Sequence, residues 1–163
     1  DGAGAAVLGE GDALKYIELT AQGSMAIHVP AGQKRSPYDQ YVCTDEGLCM
    51  EGREVYRFAV RSICGGLRKA SQTTGIPLAS VDHFLLHQAN QRILDAAARE
   101  LKLPAEKIPT TIAETANTSG ASVPILMDHE MRAGHLHRGE TVMLCAFGSG
   151  LTNGTAVLTW EIG

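Results

Sequence analysis

Ser80-Val81-Asp82-His83-Phe84-Leu85-Leu86-His87-Gln88-Ala89-Asn90 opens on turn formers, runs through a short apolar core and breaks abruptly into polar residues. A bulky apolar run this brief, bounded by Ser/Asp on one side and polar groups on the other, predicts a short buried strand over His83–Leu86. From Asn90 to Leu101 the spacing changes. Ile93, Leu94, Ala97, Ala98 and Leu101 fall on one helical face, and Pro104 ends the helix. A buried strand feeding a helix through polar residues is the unit from which α/β sheets are built.

Outward from that unit the same alternation continues. Towards the N-terminus, apolar residues recur at helical spacing from Cys49 to Thr74 (Val55, Phe58, Ala59, Ile63, Leu67, Ala70), closed by Gly75 and Pro77. Before it, Gly23 to Leu48 is polar and punctuated by Pro30, Gly32, Pro37 and Gly47, which predicts a long irregular connection of the kind that often carries function. Ala3–Leu8 and Tyr16–Ala21 read as strands, the second alternating through Ile17, Leu19 and Ala21. Towards the C-terminus, Ile108–Ile112 reads as a strand, and Ser119 to Ala133 as a helix closed by Gly134. Thr141–Phe147 and Thr155–Ile162 read as strands joined by residues 148–154, a link too short for a crossover helix, so they are expected to be antiparallel neighbours. The order β-β-α-β-α-β-α-β-β predicts a mixed sheet with helices packed on it, hence an α/β fold.

The bulk numbers set outer limits. A chain of 163 residues that is 44% hydrophobic and 20% charged can bury the core of one ordinary domain. A net charge of −4 with no basic run gives no sign of nucleic-acid binding. No apolar stretch approaches the roughly 18–20 residues of a membrane span. Cys43, Cys49, Cys64 and Cys145 lack CxxC spacing, which argues against a zinc site or a disulfide framework and for reduced thiols. The chain opens on Asp1-Gly2-Ala3-Gly4-Ala5-Ala6-Val7-Leu8, without an initiator Met or a leader, and is read as a fragment or processed piece.

Three segments place polar or small residues at the carboxyl ends of predicted strands, where α/β sheets bind ligands. They are His87-Gln88-Ala89-Asn90, Thr115 to Ser122, and Phe147-Gly148-Ser149-Gly150. The second also opens a helix, whose N-terminus exposes backbone N–H groups. Plainer readings stand beside these. Asn117 or Ser119 would serve as a helix cap, His87 as a hydrogen-bonded core histidine, and the glycines of 148–154 as a hairpin.

Taken together, these motifs are similar to those of the β-ketoacyl-(acyl carrier protein) synthase III family, condensing enzymes of the thiolase superfamily. His87-Gln88-Ala89-Asn90 with Arg92 resembles the family's HQAN-x-R signature. Asn117-Thr118-Ser119-Gly120-Ala121-Ser122 resembles its GNTSAAS segment, with Ala116 where a glycine is usual. Asp1 to Ala5 resembles the end of its GDGAGA turn, Met50 to Tyr56 its MxGxxVF helix start, and Ala146 to Gly150 its AFGGG loop, with Ser149 replacing the middle glycine. The resemblance runs in order along the whole chain and corresponds to the second half of a family member.

What the resemblance implies is a thiolase-like C-terminal domain over 1–163, a mixed five-stranded sheet with packed helices. The other half of the duplicated fold, outside this chain, would carry the nucleophilic cysteine; none of the four cysteines here fits that role. By resemblance His87 and Asn117 are the N–H donors to the enolate oxygen formed when a malonyl thioester loses CO₂, and Ser149 lends a backbone N–H to the acyl oxyanion. His87 can do so either as a neutral tautomer or as imidazolium. Arg92, Arg57 and Arg53 correspond to basic residues that meet an acyl carrier protein or coenzyme A phosphates, and Ala89 and Asn90 to contacts with the pantetheine arm. Acyl-coenzyme A and malonyl thioesters would be substrates, with no metal and no separate cofactor. A homodimer is implied, in the cytoplasm, or in the plastid stroma of a plant or alga, with no membrane or nucleic-acid partner. Two rivals remain at this level, a synthase III-like acyltransferase of secondary metabolism and a noncatalytic thiolase-like binding module.

Overall fold

The computed structural model describes residues 1–29 and 47–162. Most of the expected irregular connection, with Pro30, Gly32, Pro37 and Cys43, therefore lies outside the described residues. The strands are β1 (Leu14–Ala21), β2 (Ile27–His28), β3 (Cys49–Met50), β4 (His83–Leu86), β5 (Thr141–Gly148) and β6 (Thr152–Thr159). The α-helices are α1 (Gly52–Thr74), α2 (Gln91–Leu101), the single turn α3 (Ile112–Thr115) and α4 (Ser122–Arg132).

Four strands form one mixed sheet in the order β1-β6-β5-β4. β5 and β6 pair antiparallel, as the short link requires, whereas β4 and β5 pair parallel, with Leu86 opposite Cys145. The α/β class holds, but among the described residues the main sheet has four strands rather than five. β2 and β3 form a separate two-stranded ribbon, Ile27 opposite Met50.

Strand periodicity assigns each side chain to a face. Phe84, Leu86, Met143, Cys145, Phe147 and Val157 point to one side and pack with Ala59, Ile63, Leu67 and Ala70 of α1 and Ile93, Leu94 and Ala97 of α2. Leu85 and Val142, with Leu144 and Leu158 behind them, point to the other side and meet Leu126 of α4 together with Leu136 and Trp160. The result is a helix–sheet–helix sandwich. Fully burying each large apolar side chain contributes about 1.5–3 kcal/mol.

Two expected strands are absent. Ala3–Leu8 takes no place in a sheet and is exposed throughout. Ile108–Ile112 cannot join a ladder because its donors are committed elsewhere. Ile108 N–H closes a tight turn onto Ala105, Pro109 has no N–H, and Thr111 N–H donates to the Gln88 side chain. β6 starts earlier than expected, since Asn153 and Gly154 pair with Phe147 and Ala146 and only Ser149-Gly150-Leu151 remain as the turn. The predicted helix from Ser119 begins as α4 at Ser122, after a 3₁₀ turn over Ser119–Ala121. Among the described residues no helix is long and apolar enough to cross a membrane.

Candidate functional site

His87 follows the last residue of β4, and its backbone N–H prolongs the ladder to the Cys145 carbonyl at 2.9 Å. The residue is only 8% exposed. Its ring packs against Phe147 in a T-shaped arrangement, with centroids 5.0 Å apart and planes at 70°. Its Nδ1 lies 2.6 Å from Ser122 Oγ at the start of α4. Burial pushes the imidazole below its ordinary value, so the ring is neutral near pH 7. Of the two charge states that the sequence left open, burial favours the neutral one.

Gln88 is fully buried and binds three elements together. Its Nε2 donates to Leu86 O at 2.7 Å, its Oε1 accepts Thr111 N–H at 3.0 Å, and its backbone N–H reaches Ser122 Oγ at 3.2 Å. Through Thr111 it anchors α3, the turn that leads to Asn117. Asn90 caps α2, its Oδ1 accepting Arg92 N–H at 2.9 Å; Ala89 is half-buried between them.

Asn117 follows Ala116, whose φ of 53° and ψ of −157° turn the chain sharply. The Asn117 Oδ1 accepts Ser119 N–H at 2.9 Å. That bond identifies the oxygen and leaves the Nδ2 group as the exposed donor. α4 itself starts at Ser122 with no side-chain cap, and the Asn117 bond instead caps the first N–H of the 3₁₀ turn over Ser119–Ala121 that leads into it. In the β5–β6 turn, Ser149 Oγ donates to Ile27 O at 2.8 Å, while Gly150 O and Leu151 O accept from Ser24 and Gln22 at 2.7 and 2.8 Å. These bonds seat the oxyanion-loop candidate on residues 22–27.

The three strand-end segments singled out in the sequence therefore meet at His87, through Ser122 on one side and Phe147 on the other. Arg53 and Arg57 lie separately, exposed in the first turns of α1, and Arg92 is exposed in the first turn of α2. Arg57 helps line an open groove of about 430 Å³ with Val60, Arg61, Arg68 and Glu100; neither His87 nor Asn117 contributes to it. Neither buried thiol is activated: burial pushes Cys64 and Cys145 up to about 11. Cys49 is half-buried and free.

Two residues of the site were not assigned roles from sequence, Gln88 and Ser122. Their partners lie 23 to 35 positions away, and a serine at a helix start ordinarily signals a cap.

A family profile described as the C terminal of 3-oxoacyl-[acyl-carrier-protein (ACP)] synthase III matches residues 71–160. The chain is 37% identical to a β-ketoacyl-[acyl-carrier-protein] synthase III of Acaryochloris marina over 169 residues, covering 99% of this chain and 51% of that protein. It is 35% identical to the chloroplastic enzyme of Arabidopsis thaliana, covering 99% of this chain and 44% of that one. The crystal structure of 3-oxoacyl-(acyl carrier protein) synthase III from Pseudomonas aeruginosa superposes with a TM-score of 0.81 at 32% identity, over 97% of this chain and 47% of that one. The chain thus spans about half the length of the curated relatives it matches. With a profile covering the strand-end motifs and a fold shared at that level, the chain belongs to the 3-oxoacyl-[acyl-carrier-protein] synthase III C-terminal family.

Proposed function

We propose that this chain is the C-terminal half of a β-ketoacyl-[acyl-carrier-protein] synthase III and supplies its decarboxylation machinery. The observation that carries the reading is that each of the two candidate donors is fixed by a hydrogen bond of its own. A buried neutral His87 has one ring nitrogen tied to Ser122, and Asn117 has its oxygen tied to Ser119, so each offers its remaining nitrogen.

The chemistry follows from that pair. The bond between the malonyl carboxylate and the α-carbon breaks, CO₂ leaves, and the electron pair enters the thioester carbonyl as an enolate. His87 and Asn117 donate to the enolate oxygen, each held in place beforehand by its own hydrogen bond. The α-carbon then attacks an acyl group held as a cysteine thioester; a carbon–carbon bond forms and the thiolate leaves. By the family resemblance that cysteine belongs to the N-terminal half of the fold. The backbone of the 148–150 turn, at Ser149, holds the acyl oxyanion.

Acyl-coenzyme A and malonyl-acyl carrier protein are the substrates in this reading. Coenzyme A enters as a thioester substrate, not as a cofactor. Arg92, Arg57 and Arg53 form a positive rim on an acidic chain, suited to steer an acidic carrier protein or coenzyme A phosphates. Asn90 and Ala89 flank the path of the pantetheine arm. The enzyme works as a homodimer in the cytoplasm or, as for the Arabidopsis relative, in the chloroplast.

The test uses the complete enzyme, this segment joined to its N-terminal half. His87→Ala and Asn117→Ala should each lower malonyl decarboxylation by roughly 10²–10³-fold, the worth of one oxyanion donor, while cysteine acylation proceeds. Undiminished decarboxylation in either variant overturns the assignment.

A further inference from the structure

Ser122 Oγ has two neighbours inside the fold. Gln88 N–H lies 3.2 Å away, and His87 Nδ1 lies 2.6 Å away. A backbone amide can only donate, so towards Gln88 the hydroxyl acts as acceptor. The hydroxyl hydrogen then needs an acceptor of its own. Ser122 is only 1% exposed, so solvent does not supply one. Among the described residues the acceptor within reach is His87 Nδ1.

A neutral imidazole carries one hydrogen on one of its two nitrogens. If Nδ1 receives the Ser122 hydrogen bond, the ring hydrogen sits on Nε2. The reverse arrangement puts two N–H donors on one hydroxyl oxygen and strands the hydroxyl hydrogen in the interior, which costs more than the bond it replaces. At 2.6 Å the contact lies within the range of a hydrogen bond donated by a hydroxyl.

We propose that Ser122 is a positioning residue that fixes His87 as the Nε2–H tautomer and thereby aims a ring N–H at the substrate oxygen. The inference rests on the reading of His87 as an oxyanion donor. It adds that the donor's orientation is set from α4, the element that follows the turn carrying Asn117. The hydroxyl is itself held by Gln88 N–H.

The experiment is ¹⁵N spectroscopy of the imidazole nitrogens in the complete enzyme near pH 7.5, with the His87 signals assigned by their loss in His87→Gln. The wild-type ring should show an unprotonated Nδ1 and a protonated Nε2. Ser122→Ala, which removes a single oxygen, should give a mixture of tautomers. It should also slow decarboxylation by roughly tenfold, the worth of one neutral hydrogen bond, without slowing cysteine acylation. A wild-type ring protonated on Nδ1, or a Ser122→Ala spectrum identical to wild type, overturns the proposal. Should Ser122→Ala fail to fold, the wild-type spectrum still decides. If the tautomer is as stated but His87→Ala decarboxylates normally, the donor reading fails while the Ser122–His87 assignment stands.

Discussion

Ala116 has φ 53° with ψ −157°, a region that costs a residue with a side chain about 1–3 kcal/mol. Glycine enters it freely, which gives a physical reason for the glycine usual in the related motif. Ala116→Gly should therefore raise unfolding stability by about 1 kcal/mol, after allowing for the extra freedom glycine gives the unfolded chain. Urea denaturation would register this as a higher midpoint at unchanged slope. His87 makes a second prediction. Burial lowers its pKa in the folded protein below 6.5, the ordinary value that the unfolded chain keeps. As pH falls below about 6.5 the unfolded state binds protons first, so stability drops with acidification. Between pH 7.5 and 5.5, wild type should lose more stability than His87→Gln, read from the urea midpoints at each pH. At this scale Asn117 follows the single turn α3 rather than the strand expected there, whereas His87 was legible in sequence because a strand has just ended before it. Ser122 was not, because its meaning depends on a partner that only the folded chain brings near.

Helix α1 shows how closely two elements can be fitted. A Cβ on Gly66 would fall 2.3 Å from Thr155 Oγ1 of β6, whereas one on Gly65 would meet nothing within 4 Å. The two adjacent glycines should therefore respond oppositely to alanine. Gly65→Ala gains helix propensity and should stabilise by about 0.5–1 kcal/mol. Gly66→Ala forces α1 off the sheet and should destabilise by about 1–3 kcal/mol. Paired denaturation curves of the two variants would check both signs. Periodicity alone places Gly65 and Gly66 on the same helix, and only the packing against Thr155 separates them. Long periodic elements were legible for the same reason that short ones were not. α1, α2 and β4 repeat their pattern, or are bounded by clear breaks, so the sequence locates them within a few residues. Ile108–Ile112 has apolar ends and threonines between, which suit a strand, yet Gln88, fully buried 23 positions earlier in the chain, takes the Thr111 N–H that a ladder would need.

Across the molecule the two faces of the sheet are unequally covered. α1 packs over β1, β5 and β6 on one side, whereas on the other α4 reaches β4 and leaves the outer strand open. Ile17 and Leu19, on one face of β1, are 59% and 77% exposed, and Leu14 is 55% exposed. Apolar surface concentrated on an edge strand favours self-association. This 163-residue chain alone should elute from a sizing column as oligomers, and Ile17→Lys with Leu19→Lys should shift it towards monomer without lowering its helix content. Helices packed on a sheet were legible because short apolar strands and helical spacing follow one another along the chain. The strand order was not, since nothing in the composition of β1 names the last strand as its neighbour.

That pairing joins Leu14 to Leu158, about 140 positions apart. At roughly 5–20 residues per second of synthesis, β1 leaves the ribosome about seven to thirty seconds before β6 exists to receive it. During that interval a strand carrying Ile17 and Leu19 waits for the neighbour it pairs with, while the helices between can already form. The closing of this sheet is thus timed by translation, and the nascent chain spends that time as a substrate for whatever holds exposed strands apart.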